Sequence, residues 1–337
     1  MMNSKSVTAL CISALLVCGC SQEPDQNAKA KSDATQVAAT DAKIGANTTS
    51  SAAAMQTTSA TAASVALWAD VLEQNPDAKV VTDADLRKRI EATNLPWRVK
   101  DKLTGIEMLL VPPGVFVMGM SPGDETAESV EKPAHEVTLS NAFYLGRTEV
   151  TQAQWKGVMQ HNPSVHKWTD EGLTEQESNA RNATDSLPVD NVSWNDCQKF
   201  CAKTSLSFPT AAQWEYACRA GVRKPTYGAI DDVAWYGKNS QNKSHPVAKK
   251  AANALGFYDM LGNQYEWCAD YFAANYFEQC KMGVVDPVGP IRGDAGDRVS
   301  RGGSWDSDEA HNRASFRTMG SPVIPYPNNG FRAARNP

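Results

Sequence analysis

Arg298-Val-Ser-Arg-Gly-Gly-Ser-Trp-Asp-Ser307 reads as a strand running into a tight turn. The glycine pair Gly302-Gly303 allows positive φ and a close backbone approach. Asn329-Gly330 carries the signal of a type I′ hairpin, with Phe331-Arg332-Ala333-Ala334 as the return strand. Between these strands lies an irregular segment rich in polar and aromatic residues. A loop held between two strands is where a binding or catalytic face is expected.

Working outward, the chain has 337 residues, 42% hydrophobic, with a formal net charge of −5. That is enough for one large domain with extensions. The mild acidity, with no basic stripe, argues against a nucleic-acid partner. At the N-terminus, Lys5 precedes an apolar run from Val7 to Val17 that is too short, at about ten residues, to span a bilayer. The run ends Leu16-Val17-Cys18-Gly19-Cys20-Ser21. Processing needs a small residue before the cut, and Gly19 supplies it ahead of Cys20. The pattern resembles a bacterial lipobox. It implies a signal over residues 1–19, a diacylglyceryl-modified Cys20 and a membrane anchor through its acyl chains. Ser21 after that cysteine resembles the outer-membrane-sorted type, so the expected location is the outer membrane, facing the periplasm.

Residues 20–64 are rich in Ala, Thr and Ser and hold almost no large apolar side chain. They read as a disordered tether, about 45 residues with a reach of roughly 35–40 Å. Residues 65–103 read as a short helical transition, with a capping box at Thr82-Asp83-Ala84-Asp85 followed by Leu86 and Ile90. From residue 104 to 337 the texture is that of one folded domain. Gly105 to Val111 and Val115 to Gly119 read as strands around Pro112-Pro113-Gly114, which predicts a hairpin. His135 to Leu139 and Ala142 to Gly146 are two further strands. Three helix starts follow at Thr151-Gln-Ala-Gln154, Ser193-Trp-Asn-Asp196 and Thr210-Ala-Ala-Gln213, the last ending near Gly221. Trp155, Trp194 and Trp214 read as core anchors of those helices. Few regular elements over so many residues predict a loop-rich α+β domain.

These pieces together resemble the formylglycine-generating enzyme, or sulfatase-modifying factor, family. The matching stretches run from Pro112-Pro113-Gly114-Val115-Phe116-Val117-Met118-Gly119 through Thr148-Glu149-Val150-Thr151 and Pro188-Val189-Asp190-Asn191-Val192-Ser193-Trp194. They continue with Phe208-Pro209-Thr210-Ala211-Ala212-Gln213-Trp214-Glu215-Tyr216-Ala217-Cys218-Arg219-Ala220-Gly221 and Tyr258-Asp259-Met260-Leu261-Gly262-Asn263-Gln264-Tyr265-Glu266-Trp267. Arg301-Gly302-Gly303-Ser304-Trp305 and Asn329-Gly330-Phe331-Arg332 complete the order. The resemblance implies a C-type-lectin-like fold, a small mixed sheet wrapped in loops.

It also implies chemistry. Oxidase members of the family convert a sulfatase cysteine to formylglycine, with Cu(I) held by two cysteines after the Gly-Gly-Ser motif. Cu(I) is soft and takes thiolates. Here Ser307 and Asn312 stand near those two positions, and no cysteine follows Cys280. Copper is therefore not expected, and no catalytic residue is assigned. By the same resemblance, Asp259 and Glu266 side chains with Gly262 and Gln264 carbonyls would hold a structural Ca²⁺, an all-oxygen set that this ion prefers. Cys201 and Cys218 stand at family positions that can form disulfides, without partners near Ala314 and Ala333. Cys197, Cys201, Cys218, Cys268 and Cys280 form an odd set whose pairing spacing does not settle.

Other clusters carry less. His161 and His166 form a weak metal pair. Ser304 or Ser307 with His311 and Asp306 or Asp308 lack the setting of a nucleophilic triad. The expected ligand-binding face is Trp305, His311, Arg313, Phe316, Arg317 and Tyr326, suited to a protein or peptide ligand. The expected function is thus a lipid-anchored, non-oxidase binding or accessory module. The alternative is an enzyme modifying protein or peptide substrates, such as a formylglycine-generating oxidase.

Overall fold

The computed structural model describes residues 63–166 and 184–337. Cys20, the signal segment and the tether to residue 62 lie outside them. A five-stranded sheet runs β1 (Ala69–Glu73), β2 (Arg98–Asp101), β3 (Glu107–Val111), β6 (Phe143–Gly146) and β14 (Ala334–Arg335). A second sheet runs β10 (Val284–Val285), β5 (His135–Leu139) and β4 (Gly114–Met118). A third runs β12 (Arg317–Gly320), β11 (Arg298–Arg301), β9 (Tyr265–Tyr271) and β13 (Asn329–Gly330). A two-stranded pair joins β7 (Ala234–Trp235) to β8 (Leu261–Gly262). Besides a helical turn over 63–68, the helices include α1 (Ala84–Glu91), α2 (Gln152–Met159), α3 (Trp194–Thr204), α4 (Ala211–Arg219), α5 (Ile230–Val233) and α6 (Tyr276–Cys280). Short elements joined by long loops make this the expected α+β fold.

The helix starts follow the sequence. Thr151 Oγ1 accepts the Gln154 N–H at 3.3 Å while Gln154 Oε1 accepts the Thr151 N–H at 2.9 Å. Ser193 with Asp196 and Thr210 with Gln213 close the same reciprocal box. Trp155 and Trp214 are fully buried, and Trp155 stacks on Phe200 at 5.5 Å, which joins α2 to α3. At α1 the cap is one residue later than expected. Asp83 accepts the Asp85 and Leu86 N–H groups at 2.8 and 3.0 Å, so Asp83 and not Thr82 starts the helix.

Three expectations need correction. No hairpin joins β3 to β4: β3 pairs with β2 and β6, and β4 pairs with β5. Pro112 and Pro113 have no N–H for a ladder, and there the chain crosses from one sheet to the next. Asn329-Gly330 is not a type I′ turn but a short strand parallel to β9. A Cβ on Gly330 would lie 2.5 Å from the Val189 carbonyl oxygen, so this glycine serves close approach. Residues 65–103 are more than a helical transition, because β1 and β2 from this stretch extend the first sheet. The five cysteines are all free and buried. Burial pushes Cys201 and Cys218 up to about 12, where a thiol is inert.

Candidate functional site

The turn after β11 is built as its glycines require. Gly302 and Gly303 sit at φ +96° and +79°. A Cβ on Gly303 would fall 2.3 Å from Asn312 Oδ1, so only glycine fits. The turn docks on a second one: the Gly262 N–H donates to Gly302 O and the Trp305 N–H to Asn263 O, both at 2.9 Å. Beneath it, Arg301 is fully buried. Its guanidinium meets Glu215 and the carbonyls of Ala314, Ser315 and Phe316. Glu215 also accepts from Arg219 Nε at 2.8 Å and from the Gly119 N–H at 2.9 Å. One carboxylate thereby ties α4, β11 and the end of β4 together.

Ser307 and Asn312 face this turn. Ser307 Oγ accepts the Ser304 N–H at 3.1 Å, lies 2.8 Å from Ser304 Oγ and donates to Tyr265 Oη at 3.0 Å. Asn312 is fully buried; its Nδ2 donates to Asp308 O at 2.6 Å, and its Oδ1 has no partner. Ser304 Oγ donates to Asp306, which accepts from Asn328 Nδ2 through both oxygens at 3.1 Å. His311 pairs with Asp308, and among the described residues no hydrogen bond joins it to a serine.

The expected binding face is mostly interior. Arg313 is 4% exposed and bonds Asp124 at 2.9 Å and Glu131 at 2.6 and 2.7 Å. Burial works against its charge, but these carboxylates outweigh that and raise its pKa. Arg317 lies between the Phe272 and Phe277 rings, 4.6 Å from each centroid, and burial lowers it to about 10. Phe316 is buried against His311 and Tyr265. Trp305 keeps only an edge in solvent and meets His166, whose Nδ1 is 3.1 Å from Asp190. Tyr326 is half-buried on Trp267. Arg313, Phe316 and Arg317 are therefore not displayed; packing and ion pairing take them inward. The stretch instead exposes Asp306, Asp308 and Glu309, with Met319, Val323 and Ile324.

The second turn carries the acidic residues. Both Glu266 oxygens are engaged, with Arg332 Nε at 2.7 Å, Arg332 Nη2 at 2.6 Å and Trp214 Nε1 at 2.7 Å. Asp259, at φ +52°, accepts the Ala248 N–H at 2.7 Å. Burial pushes its carboxyl up to about 6. Sequence reasoning passed over Glu149. It is 1% exposed and neither carboxylate oxygen has a partner. Burial, with the Asp259 and Glu266 charges adding, drives it well above the ordinary range. Thr148-Glu149-Val150-Thr151 entered only as a stretch of the family resemblance, and only the fold brings that carboxylate beside two others. Three acids and one guanidinium leave negative charge in excess. Among the described residues no three His, Cys, Asp or Glu side chains converge on a metal position.

The chain is similar to known proteins. The sulfatase-modifying factor enzyme 1-like domain family matches residues 93–337. The formylglycine-generating enzyme of Streptomyces coelicolor is 27% identical over 285 residues, covering 67% of this chain and 88% of that protein. The serine/threonine-protein kinase pkn1 of Chlamydia caviae is 29% identical over 248 residues, covering 70% of this chain but 39% of the relative. The chain thus spans about two fifths of that protein's length. Among solved structures, Treponema denticola variable protein 1 superposes with a TM-score of 0.57 at 28% identity, over 69% of this chain and 95% of that one. The matched residues include the two docked turns and the strands that carry them, and the match places this chain in the sulfatase-modifying factor enzyme 1-like domain family.

Proposed function

We propose that the chain is a lipid-anchored, non-oxidase binding or accessory module of the bacterial envelope, held at the outer membrane through Cys20. One observation carries this reading. Where the family's oxidases place two thiolates, this chain has the Ser307 hydroxyl and the Asn312 amide. The hydroxyl is committed to Ser304 and Tyr265, and the amide nitrogen to Asp308. Neither group is a soft ligand, so the residues present do not fit Cu(I). The ligand we assign is a protein or peptide segment. The displayed acids Asp306, Asp308 and Glu309, with Val323 and Ile324 exposed further along the same stretch, favour one that is basic and partly apolar.

Calcium belongs to the same reading, in a structural role. Asp259 and Glu266, with Gly262 and Gln264 carbonyls, would hold the ion. The support is the hardness of the oxygen set, with two unpartnered Glu149 oxygens buried close by. Since Glu266 is already shared with Arg332 and Trp214, most of the ion's shell would be carbonyl oxygen and water.

The deciding experiment incubates the full chain with copper, oxygen and a peptide bearing Cys-x-Pro-x-Arg, then weighs the peptide. An unchanged cysteine is expected. Conversion to an aldehyde overturns the reading in favour of the oxidase alternative.

A further inference from the structure

We infer that the free edge of β4 is a docking groove for an extended peptide segment carrying a carboxylate. This surface is separate from the one proposed above and does not depend on that reading. Among the described residues β4 lies at the end of its sheet and pairs only with β5. An edge strand presents unpaired backbone N–H and C=O groups, and proteins usually cover it or charge it. Here β4 carries no charged residue of its own, and Val115 is 55% exposed. A cavity of about 280 Å³ runs along Val115, Phe116 and Val117. It continues into a second of about 170 Å³ that shares Val117, Arg219 and Arg223 and ends at Met120 and Pro122.

The walls define the occupant. One wall is α1, through Leu86 and Arg89; the other is the turn after α4, through Gly221 and Arg223. Recessed between them, the strand edge admits a single extended chain more readily than the flat sheet edge of another folded molecule. Phe116 and Tyr216, with rings 5.2 Å apart, and Leu255 give the lining an apolar floor. Arg89 and Arg223 are exposed. Among the described residues neither has an ion pair, and Arg89 donates only to Tyr216 Oη at 3.3 Å. Glu136 is the one acid on the lining. Two unpaired cations against one anion select an acidic segment. The floor is rigid as well, because Glu215 and Arg219 fix both polar backbone atoms of Gly119 at the end of β4. α1 lies outside the residues matched by the family, so this groove is not a property of the family domain alone.

The test uses the full chain and two fluorescent octapeptides, one alternating valine and glutamate, the other valine and lysine. The acidic peptide should bind roughly tenfold tighter. Arg223→Ala and Arg89→Ala should each weaken it by about threefold or more; both side chains are exposed, so folding is spared. Amides of residues 114–118 should gain hydrogen-exchange protection with the acidic peptide. Four results overturn the inference: equal affinity for both peptides, no binding at millimolar peptide, binding indifferent to Arg223→Ala, or protection absent from 114–118. Self-association with rising protein concentration that competes with the peptide would replace the peptide by a second copy, and so overturns it too.

Discussion

Around Glu215 one carboxylate meets two guanidiniums, Arg219 and Arg301; around Glu149 one guanidinium, Arg332, serves three carboxylates. Both clusters are buried, and each lies under one of the two docked turns. The first is closed, since each Glu215 oxygen has a charged donor. The second is open: Glu266 takes the guanidinium, Asp259 takes a backbone N–H, and Glu149 has nothing. A closed cluster fixes geometry because removing either partner strands a buried charge. An open one stores unfavourable charge that a proton or a cation can relieve. The pairing stoichiometry, not burial, separates scaffold from candidate site here.

The largest test of that contrast is Glu215→Ala. It strands Arg301 and Arg219 and should cost about 3–5 kcal/mol in urea unfolding. A loss of less than about 1 kcal/mol would mean that the closed cluster is not structural. Next comes Asp270, another buried carboxylate without a direct guanidinium partner, which burial pushes from 3.8 up to about 6. With the folded pKa above the unfolded one, its contribution is whole below about pH 4 and is lost as pH rises through about 6. The loss is at most about 3 kcal/mol. Asp270→Asn should flatten that part of the stability–pH curve; an unaltered curve would remove Asp270 from the unpaired set.

Calcium gives a smaller and more specific readout. At about a hundredfold excess over its Kd it should add about 2.7 kcal/mol, and a chelator should remove that gain. Asp259→Asn, which removes a carboxylate from the proposed ligand set, should lose most of the response to calcium. A response untouched by this change would place any ion elsewhere. The smallest effect on stability is expected from Ser307→Cys with Asn312→Cys. Two thiols on the retained turn should confer Cu(I) binding in competition with a chromogenic chelator, at a cost of about 1–2 kcal/mol. Failure to bind copper would show that the turn differs from an oxidase in more than two side chains.

Local chemistry was legible because it acts over a few residues. Three reciprocal caps, the buried tryptophans, the positive-φ glycines and the strands β3, β4, β5, β6 and β11 follow from local pattern. The ordered motifs led to the family. Strand pairing was not legible: Asn329-Gly330 has the composition of a turn, but the Val189 backbone closes on it and makes it a strand. Nor was the interior fate of Arg313 and Arg317. A sequence shows an arginine beside aromatics, and that reads as a displayed face. Asp124 and Glu131, about 180–190 positions away, turn Arg313 into a core ion pair.

Legible in the chain itself were the three capped starts of α2, α3 and α4, the glycine turn after Arg301, the hydroxyl and amide groups at 307 and 312, and the family to which such a turn belongs. These depend on covalent identity and short-range hydrogen bonding. The tertiary structure alone decided which charges are paired. It closed the Glu215 cluster, buried the expected binding arginines, left Glu149 without a partner and opened a groove along β4. Electrostatic pairing and edge exposure depend on distances between residues far apart in the chain, and only packing sets those distances.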